Sequence, residues 1–176
     1  EDPHGPHGET PRKPADILSL AQQARSGQTP VSPEEMCRLA AELEEEGHVE
    51  AAAEMYRAVA AATGGHPEIC FQIAELLYRL GDLSGARERY YMTIELDEDY
   101  VEARANLGCV LDETGQKELA VAAFQGSLAC HPEYADVHYH LACTLEDLDR
   151  PDQAQTHWQT FLGLAPDSPW ADQARA

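Results

Sequence analysis

Residues 101–134 read VEARANLGCVLDETGQKELAVAAFQGSLACHPEY and residues 135–168 read ADVHYHLACTLEDLDRPDQAQTHWQTFLGLAPDS. Laid one above the other without a gap, they agree in size and polarity column by column. Two further stretches, 33–66 and 67–100, fall into the same register, so one pattern recurs four times at a spacing of 34 residues. Leu39, Ile73, Leu107 and Leu141 form an apolar column, followed directly by the small residues Ala40, Ala74, Gly108 and Ala142. Leu43, Leu77, Leu111 and Leu145 come next, then Gly47, Gly81, Gly115 and Asp149 at a break. Beyond the break stand Ala52, Ala86, Ala120 and Ala154, and then the rings Tyr56, Tyr90, Phe124 and Trp158.

On either side of the break the apolar positions lie three, four or seven apart, which places them on one stripe of a helix. Each copy therefore predicts two helices joined by a tight turn. A small residue recurs where two helices approach closely, and a ring recurs where the adjoining space must be filled. A unit of this length with small, aromatic and proline positions in this order resembles the tetratricopeptide repeat. The pattern departs from that family where an early tryptophan is usual, with Met36, Cys70, Arg104 and His138 in its place. The late proline survives as Pro132 and Pro166 and is replaced by Gly64 and Glu98 in the first two copies.

The resemblance implies an all-α fold, a right-handed α-solenoid of four helix-turn-helix units at 33–66, 67–100, 101–134 and 135–168. Residues 1–13, rich in proline and glycine, read as a disordered tail. Within 14–32, Ile17, Leu18, Leu20, Ala21 and Ala24 make a short apolar stripe that Gly27 can end, which predicts a helix. It is expected to cap the first repeat, the alternative being a place in the concave groove of this or a neighbouring molecule. Ser32, Pro33 and Glu35 make a firm helix start. At the other end Ser168 and Pro169 are expected to open a truncated capping helix over 169–176, with Trp170 covering Trp158 or Phe161.

The chain carries 32 acidic and 12 basic side chains, a formal charge of −20. Such a surface repels phosphate backbones, which excludes direct nucleic-acid binding as a reading and favours basic protein segments. A solvated helical surface with no partner is the plainer explanation of the same count. Five cysteines without framework spacing, and no secretory segment in view, suggest a reducing cytoplasmic setting. No apolar run reaches the ~20 residues that a membrane span needs. The chain opens on Glu1 rather than methionine, which reads as a fragment or a processed product.

In the family that the sequence resembles, first helices line a concave surface that holds a peptide or a partner helix. Carried over position by position, that surface draws on Arg38 from the first copy and on Phe71, Glu75, Tyr78 and Arg79 from the second. Asn106, Cys109 and Asp112 come from the third, and Tyr139, His140, Cys143 and Glu146 from the fourth. These columns are read as not held to one residue type by packing, the alternative being that Phe71 and Tyr78 pack against neighbouring repeats. One branch of the family grips C-terminal carboxylates with lysine, asparagine and arginine. The matching places here hold Cys37, Ala41, Asn106, Glu102 and His140, so an acidic tail is expected to be refused. A basic or apolar protein segment is the expected partner.

Catalysis is not expected: the sequence holds no phosphate loop, no serine-nucleophile signature and no HExxH. His131, His138, His140 and Cys143 cluster in sequence, yet no second ligand pair answers them, so no metal or cofactor is expected. His138 reads instead as a wedge between helices. Glu44, Glu45 and Glu46 splay around a helix and read as a solvated face. Cys109 and Cys143 occupy equivalent places about a helix diameter apart, too far for a disulfide.

The leading reading is a noncatalytic adaptor that binds a partner segment in an acidic groove. The alternative is the interaction or oligomerisation arm of a bacterial transcription regulator. Residues Tyr134 to Ala142 with His157, Trp158 and the closing Ser168 to Ala171 resemble repeat regions that follow a MerR-like helix-turn-helix. Self-association through the helix around Leu18 or through the C-terminal face is a further expectation.

Overall fold

The computed structural model of the protein describes residues 14–27 and 31–175; the tail expected at 1–13 lies outside them. Ten helices make up the ordered architecture of these residues, and they fall into two compact units, one up to Gly64 and one from Gly65.

The first unit holds α1 (Pro14–Arg25), α2 (Pro33–Glu45) and α3 (Val49–Thr63). Gly27 ends α1 in the left-handed conformation. α1 rests on both α2 and α3, with Ile17 and Ala21 buried in that contact, as a cap on the first repeat would be. At the start of α2 the Ser32 Oγ accepts from the Glu35 N–H at 3.2 Å, and Pro33 fills the first helical position. Both features relieve donors that a helix start leaves without partners.

The second unit holds α4 (Pro67–Arg79), α5 (Leu83–Leu96), α6 (Val101–Glu113), α7 (Lys117–Cys130), α8 (Ala135–Asp147), α9 (Pro151–Leu164) and the short α10 (Ala171–Arg175). Each helix packs on the next in chain order. Side chains of α4 and α6, and of α6 and α8, also touch directly, so these three first helices run side by side.

One closing device recurs at all four breaks. The N–H three residues past the end of the first helix reaches back to the leucine column: His48 to Leu43 at 2.8 Å, Asp82 to Leu77 at 2.9 Å, Gln116 to Leu111 at 2.8 Å and Arg150 to Leu145 at 2.9 Å. This six-to-one bond, with the shorter bond nested inside it, is the Schellman motif and needs a left-handed residue. Gly47, Gly81 and Gly115 supply it, and Asp149 does so at φ 56°, the one non-glycine with positive φ among the described residues. Aspartate tolerates this conformation better than other side chains, at a cost glycine avoids.

The small and ring columns form the core. Ala40, Ala74 and Ala142 are fully buried, and so are the rings of Tyr90 and Phe124, with Tyr56 and Trp158 buried nearly as deeply. Gly108 departs from alanine for a visible reason: a Cβ there would lie 2.4 Å from Phe124 Cε1. Phe124 therefore sits closer to its first helix than alanine permits.

The C-terminal expectation needs correcting. The helix begins at Ala171, because Ser168 organises a turn instead: its Oγ accepts from the Trp170 N–H at 3.3 Å and its carbonyl from Ala171 at 2.9 Å. Trp170 stacks on Tyr139, with ring centres 4.9 Å apart, and Tyr139 in turn meets Trp158 and Phe161 at 5.4 and 5.5 Å. The cover over the last repeat's rings thus includes Tyr139 as an intervening layer.

Candidate functional site

Glu75 and Tyr78 stand one turn apart on α4, and Asn106 and Cys109 one turn apart on α6, so each pair shares a face. Where those faces meet, the four side chains and Tyr90 of α5 line one cavity of about 170 Å³. The Glu75 carboxylate is fixed within it. Its Oε1 accepts from the Tyr90 hydroxyl and from the Asn106 side-chain amide, the latter at 2.7 Å. At the rim the Tyr78 hydroxyl donates to Glu113.

The electrostatics follow from these contacts. Hydrogen bonding to Glu113, then burial, pushes the Tyr78 phenol up to about 12. Burial first, and the bond to Glu75 second, raises the Tyr90 phenol further. Burial, reinforced by the charges of Glu113 and Asp112, pushes the Cys109 thiol up to about 12, so it lines the cavity as a neutral group rather than a nucleophile. The cavity thus has neutral walls, one oriented carboxylate inside and a second at its mouth.

The sequence names four of the five lining residues. Tyr90 escaped because its column reads as packing, and the only signal was the choice of tyrosine over phenylalanine. Its ring does fill the core while its hydroxyl orients Glu75, a division of labour common to buried tyrosines. Trp158, in the same column of the fourth repeat, likewise donates from Nε1 to Glu146 at 2.8 Å.

Other residues from the same columns are engaged elsewhere. Phe71 packs on Tyr100 and Tyr90, with centres 5.0 and 5.9 Å apart. Asp112 Oδ1 accepts from Lys117 Nζ at 3.2 Å and from Thr144 Oγ1 at 3.1 Å, and the same lysine reaches Asp147 at 2.7 Å. His140 lies flat against Phe124, and burial lowers its pKa despite Asp136, Asp112 and Glu113 nearby. Tyr139 donates to Gln173 Oε1 at 2.8 Å, and the Gln173 amide lies 3.9 Å from Cys143 Sγ. Stacked repeats bring successive first helices into contact, so longer side chains on these faces bond to their neighbours. In the first unit Arg38 pairs with Glu35, and in the second Arg79 is exposed at the end of α4.

His138 is buried and makes the expected wedge: Nε2 lies 2.8 Å from the Pro132 carbonyl and Nδ1 2.9 Å from His157 Nδ1. Among the described residues no three His, Cys, Asp or Glu side chains are placed to hold a metal ion. No helix among them is long and apolar enough to cross a membrane.

Stacked helix hairpins with alternating small and ring columns define a helical repeat protein, and comparison with known proteins agrees. Tetratricopeptide repeat models match residues 37–101, 71–135 and 123–156. Among solved structures, the crystal structure of MamA superposes with a TM-score of 0.77 at 16% identity, over 92% of this chain and 93% of that one. YrrB, described as a TPR protein with an unusual peptide-binding site, gives 0.78 at 18% identity, over 92% of this chain and 83% of that one. A MamA fragment from Desulfovibrio magneticus RS-1 gives 0.75 at 19% identity, over 89% and 88%. No curated protein sequence matches the chain. The family models span more than half of the chain, and it belongs to the tetratricopeptide repeat family, whose α-solenoid fold is suggestive of a protein–protein interaction module.

Proposed function

We propose that the protein is a noncatalytic adaptor whose first-helix faces in the second unit receive a segment of a partner protein carrying basic and apolar residues. The observation that carries this reading is the convergence of Glu75, Tyr78, Asn106 and Cys109 on one cavity whose lining holds no lysine or arginine. Rings at such a surface supply contact area, and carboxylates select the sign of the partner. Glu68 and Glu102, exposed near the starts of α4 and α6, extend the same sign along the surface. That YrrB is described as peptide-binding adds weight by analogy of fold.

The test is to isolate a partner with the unmodified protein, reduce it to a synthetic segment and titrate that segment by calorimetry. Reversing the rim charge with Glu113→Lys, combined with Asn106→Ala, is expected to weaken binding about tenfold or more, more so at low salt. Equal affinity for the doubly substituted protein would remove this face from the account.

A further inference from the structure

We propose that the cavity between α4 and α6 is a seat for a single lysine side chain of the partner segment; this inference rests on the protein-binding reading above. Its size comes first. At about 170 Å³ the cavity is smaller than a typical small-molecule site, ~300 Å³ or more, and suits one slender side chain. Its polarity comes next. A carboxylate offers roughly four lone-pair positions over two oxygens, and both internal donors, Tyr90 and Asn106, fall on Oε1 of Glu75. Oε2 is left to accept from an incoming group. No lysine or arginine is among the lining residues, and Lys117, which bonds to Asp112 farther along α6, is committed to Asp112 and Asp147.

The same bonding pattern separates lysine from arginine. A guanidinium gains most from pairing both of its forks with both oxygens of a carboxylate. Here one oxygen is already loaded with two donors held by the fold. A compact ammonium needs only the other, and its four-carbon stem can lie along the Tyr78 ring and the Cys109 thiol. Glu113 at the rim draws the cation in without competing for the interior, since its Oε1 already holds the Tyr78 hydroxyl.

The probe is n-pentylammonium, titrated against the intact protein while NMR follows the Asn106 side-chain amide and the Tyr78 ring. We expect saturable shifts at both, with n-pentylguanidinium about fivefold weaker or more and 1-pentanol inert. Glu75→Gln is expected to weaken the ammonium about tenfold, and Cys109→Leu, which fills the cavity and leaves Glu75 in place, to abolish the effect. Equal response to ammonium and pentanol, or shifts scattered over the acidic surface and unchanged in both variants, would overturn the lysine seat. The partner segment separates the two levels of inference. If it binds undiminished after every lysine is replaced by glutamine, the seat is wrong and the adaptor reading stands; if it does not bind this face at all, the adaptor reading itself fails.

Discussion

The faces of α4 and α8 occupy equivalent places in the repeat, yet one is open and the other is covered. On α4, Glu75 looks into a cavity shared with α6. On α8 the residue 68 positions later is Cys143; Gln173 lies against it, and Trp170 stacks on Tyr139 one turn earlier on the same helix. Ring residues underneath tie down a carboxylate in both places, Tyr90 holding Glu75 and Trp158 holding Glu146. The difference lies in what packs alongside. α4 lies beside another first helix, α6, that leaves a gap, whereas α8 lies beside the turn after α9, which folds a tryptophan back. A column position thus becomes floor or filler according to its neighbour.

Removing the hydroxyl beneath the open site should have the largest effect on this comparison. Tyr90→Phe deletes a buried hydrogen bond to a carboxylate, so unfolding by urea should show a loss of about 1.5–3 kcal/mol. The Asn106 amide resonances should shift with it. Opening the covered site comes next. Trp170 is 42% exposed, so Trp170→Ala should cost about 1–2 kcal/mol, below the cost of a fully buried ring. The sharper readout is chemical: Cys143 should react faster with a thiol reagent, while Cys109 should not change. Unaltered labelling of Cys143 would mean that Trp170 does not cover it.

A smaller gain is expected where the fourth repeat departs from glycine. Asp149→Gly relieves a left-handed aspartate and should raise stability by about 0.5–1 kcal/mol, matching the other three turns. The smallest effect is one of pH. Burial lowers the pKa of His140, and burial followed by the charge of His138 lowers that of His157. The folded protein therefore binds these protons less readily than the unfolded chain. Stability should be complete above about pH 7, fall as the pH drops through the ordinary histidine range near ~6.5, and level off once the folded groups also titrate. His140→Gln, which installs the residue of the second repeat, should make that fall shallower in thermal melts at about pH 7.5 and about pH 5.5. An identical slope would exclude His140 as a contributor.

Much of this was legible beforehand. Four-residue columns revealed the hairpins, the glycine breaks marked each Schellman turn, and Gly27 marked the end of α1. Asn106, Cys109, Glu75 and Tyr78 could be named from the sequence because packing did not demand their types, although Glu75, Asn106 and Cys109 are half-buried. Tyr90 was not, since its hydroxyl serves a carboxylate 15 residues earlier on another helix. Nor was the Lys117 bridge to Asp112 and Asp147, or the return of Trp170 to Tyr139, because side-chain reach across stacked helices has no signature in local spacing.

What the sequence determined by itself was the repeat, its hairpins and its core columns, because helical periodicity and the conformational freedom of glycine act over a few residues. What only the tertiary structure decided was which of the remaining columns line a cavity and which are covered. That depends on which neighbour fills the gap, and it is settled when helices distant in the chain come to lie side by side.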